Sequence, residues 1–206
     1  SVIETPKGEW YAYMLRDFGA VGRIPHLLPM EWENDWPVIS GDGTAPEYLD
    51  IPAVEDNLSN IVASDEFERS DNDPKLPLAW QWNHNPNNDF WSVDARKGYL
   101  RLTTCHITES VLSAKNTLTQ RTFGPESSAY TSVDVANMKD GDYAGIIALQ
   151  KFYGFVGVKA DGDKKYIIME TNQNDEVVNE VESIEITQDN IYLRIDCDFN
   201  IVNENS

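Results

Sequence analysis

The chain has 206 residues, of which 41% are hydrophobic and 11% aromatic, and it carries a formal net charge of −19 at pH 7. Such an acidic surface repels phosphate backbones and anionic lipid headgroups, which argues against nucleic-acid and membrane partners. No apolar run approaches the length of a membrane span, and no signal peptide is recognised.

The first 52 residues are predicted to form a small β unit. Residues 1–10 have the pattern of a turn entering a strand, so the chain is expected to begin in mid-fold. Three strands are predicted, at residues 10–15, 27–32 and 36–39. Two glycines and a proline predict a tight, irregular connection at residues 19–25. A turn cluster at residues 41–46 opens a polar connection, and we place the boundary between domains 1–52 and 53–206 within it.

The remainder of the chain is predicted to be a succession of short strands. The candidates are residues 61–67, 99–105, 118–123, 130–135, 143–151, 153–159, 166–171, 177–186 and 191–196. Asp161-Gly-Asp163 is interpreted as a hairpin turn because it is shorter than a calcium-binding loop. Many regularly spaced strands without helical periodicity predict an all-β fold, an antiparallel sandwich.

A stretch rich in tryptophan and asparagine, residues 76–91, interrupts this series of strands. Trp80 and Trp82 alternate, so in an extended segment both rings would point to one face. Such a pair of rings can seal the edge of a β core. It can also lie against a sugar ring, with Asn83 and His84 beside it as partners for hydroxyl groups. Both interpretations stay open on residue chemistry alone.

Several motifs together resemble a known family. They are Leu76-Pro-Leu-Ala-Trp-Gln-Trp-Asn-His-Asn-Pro86, Gly98-Tyr-Leu-Arg-Leu102, Arg121-Thr-Phe-Gly-Pro125 and Met138-Lys-Asp-Gly-Asp142. Their order resembles the C-terminal β-sandwich of many glycoside hydrolase family 43 enzymes, the β-xylosidases and α-L-arabinofuranosidases. Upstream, Gly19-Ala-Val-Gly-Arg-Ile-Pro-His26 and Trp36-Pro-Val38 resemble the end of that family's catalytic propeller.

The resemblance, which covers about residues 10–159, sharpens the predicted fold and function. It implies a concanavalin-like jelly roll preceded by strands from the end of a five-bladed β-propeller. It also implies an enzyme that hydrolyses glycosidic bonds with inversion in oligosaccharides from xylan or arabinoxylan, which are neutral partners compatible with the acidic surface. Because the family's sandwich continues for several strands after a stretch like residues 191–198, the resemblance predicts a truncated jelly roll and a missing propeller portion as partner.

The resemblance implies no catalytic residue within this chain, because the family's acid, base and tuning carboxylates come from earlier propeller blades. Arg23, in the pair Gly22-Arg23, matches the family's arginine that reaches the bound glycone. A guanidinium suits this task because it stays charged and forks to two oxygens. The alternative is a strand-end arginine paired with a surface acid. His26 is a second candidate for a substrate hydroxyl, although a packed histidine is favoured there.

A structural calcium ion is implied by the resemblance, with Asp65 and Glu66 as candidate ligands, since carboxylate oxygens suit Ca²⁺. Cys105 and Cys197 are predicted to be half-buried thiols rather than a disulfide, and their spacing fits no zinc site. Arg121, between two apolar-rich strands, is expected to be a buried ion-pair residue.

Three functions are therefore carried forward. The chain can be the C-terminal part of a glycosidase, to which it supplies Arg23 and the sandwich. It can be a carbohydrate-binding module that presents Trp80, Trp82 and Trp91, or a structural domain that supports the propeller. The absence of matched carboxylates argues against catalysis by this chain alone, and the motif at residues 19–26 argues against an independent module.

Overall fold

The computed structural model describes residues 1–51, 60–174 and 177–200. These residues contain strands and short 3₁₀ turns but no α-helix, and none of them forms a helix long and apolar enough to cross a bilayer. The predicted all-β class is confirmed. The contacts divide the chain into two units, Ser1–Leu58 and Ser59–Ser206. The boundary predicted after residue 52 falls outside the described residues.

The N-terminal unit is one antiparallel sheet in the order β1-β2-β3-β4. Its strands are β1 (Val2–Glu4), β2 (Trp10–Asp17), β3 (Arg23–Glu33) and β4 (Trp36–Ile39). The three predicted strands are confirmed, but β3 begins four residues earlier than the sequence suggested. A 3₁₀ turn at Gly19–Val21 reverses the chain within a few residues, and Pro25 lies within β3 opposite Leu15 rather than in the connection.

The described residues of the C-terminal unit form ten strands. They are β5 (Gln81–Trp82), β6 (Trp91–Ser92), β7 (Arg101–Leu102), β8 (Leu118–Thr119), β9 (Glu126–Asp134), β10 (Tyr143–Leu149), β11 (Tyr153–Asp161), β12 (Lys164–Asn174), β13 (Val177–Ile186) and β14 (Asn190–Asp198). The strands β10-β11-β12-β13 form a four-stranded antiparallel sheet, and β14 pairs with β9. The short strands pair as β5 with β8 and β6 with β7.

The core of this unit lies between its two main sheets, as the sandwich prediction requires. Its most buried members are Val135, Val158, Ile191 and Leu193. Along β14 the burial alternates, because Ile191 and Leu193 are buried and Tyr192 between them is 83% exposed. This period of two is what a strand with one face against a core must show.

The strand predicted at residues 61–67 is wrong, and those predicted at residues 99–105 and 118–123 are reduced to two residues each. A side chain replaces the missing strand partner in the first case. The Ala63 N–H donates to Gln120 Oε1 at 2.9 Å, and Gln120 Nε2 donates to the Ala63 carbonyl at 2.8 Å. Phe67 has φ +52°, which no regular strand contains.

The turn at Asp161-Gly-Asp163 is confirmed as a hairpin connection. Asp161 pairs with Lys164 across β11 and β12, and Gly162 between them has φ +58°. A left-handed first position is typical of the two-residue turns that suit the twist of a hairpin, and glycine takes it without steric cost. Gly162 N–H also donates to Asp140 Oδ1 at 2.8 Å, which ties this turn to the one before β10.

Both cysteines are free and partly buried, as predicted. Burial raises the pKa of the Cys197 thiol, with a further contribution from Asp196, so this side chain is protonated at neutral pH. Cys105 Sγ lies 2.8 Å from His106 Nδ1. The expectation that Arg121 is buried is wrong, because its side chain is exposed beyond the end of β8.

Replacement of Leu193 by alanine should lower the free energy of unfolding by about 3 kcal/mol, because it leaves a cavity between the two sheets. Tyr192→Ala is the matched control, since it removes a larger side chain from the exposed face of the same strand and should cost less than about 1 kcal/mol. Urea titration followed by tryptophan fluorescence measures both values. Equal losses would contradict the assignment of the core.

Candidate functional site

The tryptophan-rich stretch separates into two clusters, so Trp80 and Trp82 do not form one platform. The Trp80 ring stacks on Phe67 with 5.7 Å between centroids. The Trp82 ring packs against Trp91 with 5.3 Å between centroids. Strand β5 contains only Gln81 and Trp82, so Trp80 lies outside the extended segment that would have turned both rings to one face.

Asp65 is the centre of the first cluster. Arg69 donates to both of its oxygens, from Nη1 to Oδ1 at 2.9 Å and from Nη2 to Oδ2 at 2.6 Å. Trp80 Nε1 donates to Oδ2 at 2.9 Å, and the Phe67 N–H donates to Oδ1 at 2.8 Å. Burial alone raises the pKa of Asp65, but these hydrogen bonds outweigh it and hold the pKa below its ordinary value.

This geometry does not fit a calcium ion at Asp65. Both carboxylate oxygens already accept hydrogen bonds, and the guanidinium of Arg69 occupies the position that a cation would take. The side chains are 8% and 12% exposed, so the ion pair is shielded from water. Within the described residues no group of three or more histidine, cysteine, aspartate or glutamate side chains could hold a metal. Glu66 and Asp65 are therefore not part of such a group among the described residues.

The second cluster encloses a cavity too small for a sugar. Trp82, Trp91, Phe90 and Cys105 are among the residues that line it, and its volume is about 10 Å³. A cavity of this size has room for about one water molecule. The indole of Trp91 is fixed by a hydrogen bond from Nε1 to Asn88 Oδ1 at 2.9 Å. The packing favours the core-sealing interpretation of Trp82.

Asn83 and His84 attach the neighbouring loop to β5. Asn83 N–H donates to the Thr117 carbonyl at 2.9 Å, and its Nδ2 lies 3.5 Å from the Leu112 carbonyl. His84 Nε2 lies 2.5 Å from the same carbonyl. Both side chains therefore contact the 3₁₀ turn Val111–Ser113.

In the N-terminal unit, Arg23 lies at the start of β3 with a side chain that is 73% exposed. Among the described residues of this unit it pairs only with Asp17, at 3.8 Å from Nε to Oδ2. His26 is half-buried, its ring lies 6.0 Å from that of Phe18, and its Nε2 is buried without a hydrogen-bond partner among the described residues. His26 is packed as predicted, but it is not hydrogen-bonded through this nitrogen.

Sequence reasoning missed a polar group on the four-stranded sheet. Glu170 and Asn172 alternate on β12 and share a face with Phe155 and Tyr153 of β11. The only signal in the sequence is an acid and an amide two residues apart, directly after the apolar run at residues 166–169 of β12. Such a pattern is common at solvent-exposed faces, and only the strand pairing shows which residues surround it.

Comparison with known proteins identifies the family. Residues 64–204 match the model of the β-xylosidase C-terminal concanavalin A-like domain. The chain belongs to this family. The match covers β5 to β14 and the Asp65 cluster, so both sheets and the loop-rich segment are parts of a β-xylosidase C-terminal domain.

Relatives with a C-terminal domain of this kind are longer proteins. A protein of Xylanibacter ruminicola described as a candidate β-xylosidase is 33% identical over 79% of this chain and 31% of its own length. A β-xylosidase of Formosa agariphila is 27% identical over 94% of the chain and 37% of its own length. The chain therefore spans about a third of the curated relatives that it matches.

Solved structures show the same relationship. The bifunctional GH43-CE protein of Bacteroides eggerthii matches 97% of this chain with a TM-score of 0.90 and 49% identity, over 26% of its own length. A GH43 protein of Bacillus licheniformis matches 94% of the chain with a TM-score of 0.71 and 26% identity, over 39% of its own length. Both matches extend beyond the C-terminal domain into residues 1–58.

Asp65→Asn should lower the free energy of unfolding of this domain by about 3 kcal/mol at pH 7, because it leaves the guanidinium of Arg69 buried without its counter-charge. Asp71→Asn, an exposed change a few residues away, is the matched control. Urea titrations of the three proteins provide the comparison. A loss no larger than that of the control would show that the buried ion pair does not hold the segment in place.

The effect of Asp65→Asn should also depend on pH. Since the folded-state pKa of Asp65 is depressed, its stabilisation is present above the unfolded pKa of about 4 and is lost as the pH falls through the folded value. The difference in unfolding free energy between wild type and variant should therefore shrink below about pH 4. Repeating the titrations between pH 7 and pH 3 measures it, and a constant difference would contradict the assignment.

Proposed function

We propose that this chain is the C-terminal part of a family 43 glycoside hydrolase that acts, with inversion, on oligosaccharides from xylan or arabinoxylan. Support comes from relatives named β-xylosidase and non-reducing end α-L-arabinofuranosidase and from GH43 enzymes among the similar structures. The observation that carries the proposal is the match over 97% of the chain with a TM-score of 0.90. It includes the N-terminal sheet, which a free-standing binding module would not need.

Arg23 is the residue that this chain contributes to substrate binding in the proposal. Its guanidinium lies at the first position of β3, directly after Gly22, and is largely exposed. The pairing with Asp17 at 3.8 Å leaves most of its five N–H donors without a partner in the part of the chain that the structure describes. A planar, permanently charged fork of this kind can hold sugar hydroxyls and acidic side chains at once.

Catalysis in the proposal belongs to carboxylates outside this chain. Glycoside hydrolysis by inversion needs an acid and a base that flank the scissile bond, about 6.5–9.5 Å apart. The partner of this chain is then the preceding part of the propeller, and its substrate is a neutral oligosaccharide. His26 lies three residues after Arg23 on β3, so its side chain points to the opposite face of the strand, and its Nε2 is buried without a partner within the described residues. The proposal therefore rests on Arg23 and not on His26.

For the C-terminal domain the contacts favour a supporting role at the tryptophan-rich stretch. Trp80 donates a hydrogen bond to Asp65, and the Trp82 ring packs against Trp91. The His84 ring contacts the Leu112 carbonyl. Each of these contacts rigidifies the segment before β9, where strand pairing is short. Together they leave no pair of free rings in residues 76–91 for a sugar to stack on.

Arg23→Ala in the full-length enzyme should lower the turnover of aryl xyloside or aryl arabinofuranoside substrates by well over tenfold, because a charge-assisted contact contributes about 1.5–3 kcal/mol. Arg23→Lys keeps the charge but loses the fork and should recover only part of the activity. Steady-state kinetics and a thermal unfolding curve are measured for each variant. Unchanged kinetics in a folded Arg23→Ala enzyme would refute the role of Arg23.

A further inference from the structure

The strand pair β9–β14 carries aromatic and polar side chains on the surface opposite the core. Ile191 and Leu193 of β14 are buried, and the residues that alternate with them on this strand are exposed. Because side chains alternate between the two faces of a strand, these exposed positions and their partners on β9 share the outer face. We call this surface the tyrosine face. Its members are Ser128, Tyr130 and Ser132 of β9 and Tyr192, Arg194 and Asp196 of β14.

Two open aromatic rings stand on the tyrosine face. Tyr130 is 81% exposed and Tyr192 is 83% exposed, so neither ring contributes to the core. Tyr130 pairs with Arg194 and Tyr192 pairs with Ser132, which places the two tyrosines at diagonal positions of the strand pair. Diagonal positions are about 7–8 Å apart, close enough for both rings to contact one ligand. The stability of the fold therefore gives no reason for these two rings, whereas a ligand with a flat apolar side does.

Hydrogen-bonding groups lie beside both rings. Arg194 Nε donates to Asp196 Oδ1 at 2.9 Å, and Arg194 Nη2 lies 2.8 Å from the same oxygen. The two side chains are 66% and 63% exposed, so the pair lies open on the surface. Within the part of the chain that the structure describes, Arg194 Nη1 and Asp196 Oδ2 have no hydrogen-bond partner. The exposed hydroxyl groups of Ser128 and Ser132 add donors and acceptors on the neighbouring strand.

An open cavity of about 520 Å³ adjoins the tyrosine face where β9 begins and β14 ends. Sites for small ligands have volumes of about 300–1,000 Å³. Between Tyr192 and Asp196 the strand rises by about 13 Å, so a short oligosaccharide that lies along β14 can contact both rings and reach the cavity. The cavity is lined by Ser128, Arg194 and Asp196 of the tyrosine face and by Glu126, Ser127, Cys197 and Asp198.

We propose that the tyrosine face binds pyranose units of a neutral glycan chain. The rings of Tyr130 and Tyr192 lie against the apolar sides of the sugar units. Arg194 donates to hydroxyl oxygens, and Asp196 accepts from hydroxyl groups. The next sugar unit along the chain enters the cavity beside Asp196. The site needs neither Arg23 nor hydrolysis, so it stands or falls independently of the proposed enzymatic function.

The chemistry of the tyrosine face favours a neutral glycan over other ligands. Its arginine is paired with Asp196, and the net charge of −19 disfavours anions. A stable protein interface uses about 20–30 residues on each side, whereas this face has six residues and no aliphatic side chain. Aromatic rings flanked by hydrogen-bonding side chains match the apolar side and the hydroxyl rim of a sugar.

The test is isothermal titration calorimetry of the full 206-residue chain with xylohexaose, and with cellohexaose as a second neutral β-linked glycan. We expect saturable heat with at least one of the two ligands. Tyr130→Ala and Tyr192→Ala should each weaken the affinity about tenfold, because each removes one of the two stacking rings. Arg194→Met keeps the length of the side chain but removes its donors, and it should weaken the affinity about fivefold.

Tyr48→Ala is the matched control. It removes a tyrosine that is 84% exposed but belongs to the N-terminal unit, so its affinity should equal that of the wild type. Tyr130→Phe and Tyr192→Phe keep the rings and should retain most of the affinity. Thermal unfolding of every variant guards against a trivial loss of folding. The unfolding temperature should not change with Tyr130→Ala or Tyr192→Ala, because both side chains lie outside the core.

Three results would overturn the proposal. One is the absence of heat with both glycans from a chain that unfolds cooperatively. Another is an affinity that Tyr130→Ala and Tyr192→Ala leave unchanged, or that Tyr48→Ala lowers equally, since the glycan would then bind elsewhere. The third is a dimer in analytical ultracentrifugation that Tyr130→Ala abolishes while both glycans remain silent, which would make the face an interface between two copies of the chain.

Discussion

The alternation of side chains along a β-strand governs the C-terminal domain, because each long strand faces two environments at once. On β12, Ile167 packs toward the core around Val158, whereas Glu170 and Asn172 lie on the opposite face. A slip of one residue would carry the carboxylate into the core and the isoleucine out of it. The nine consecutive residue pairs between β11 and β12 prevent that slip. The positions of Ile167 on one face and of Glu170 on the other are therefore consequences of one register.

The segment between residues 60 and 120 is held together by a different principle. Strand pairing there is short, and side chains supply the hydrogen bonds that a ladder would otherwise make. Gln120 pairs with both backbone groups of Ala63, and His84 contacts the Leu112 carbonyl. Asp65 joins a guanidinium, an indole and a backbone N–H at one buried carboxylate. Because each of these contacts depends on one side chain, single substitutions here should matter more than in the long strands.

The sequence predicts the regular part of the fold well because that part obeys local rules. The strand predicted at residues 177–186 has the bounds observed, and the Asp161-Gly-Asp163 turn lies where glycine allows a left-handed residue. The same rules fail at residues 61–67, where an apolar pattern is overridden by the hydrogen bonds of Asp65. Local patterns carry no information about a partner that lies 57 residues away, such as Gln120 for Ala63.

The candidate site shows the same limit. The family resemblance pointed to Asp65 as a candidate calcium ligand, but its chemistry is decided by Arg69, which lies four residues later and folds back onto it. Asn172 gave no signal at all, since an asparagine near the end of a strand is ordinary. Only the strand pairing shows that it is buried beside Tyr153, with an oxygen that has no partner among the residues that the structure describes.

Arg23 contributes little to the stability of the fold. An exposed ion pair at 3.8 Å contributes at most about 1 kcal/mol, so Asp17 gives no structural reason for an arginine at this position. The residue before it, Gly22, has φ +89° and ψ −154°, a conformation that only glycine adopts without strain. A backbone shape of this kind sets the direction in which β3 begins, and with it the position of the Arg23 guanidinium. The local geometry thus supports placing Arg23 in a binding role, because a surface pair alone would not require it.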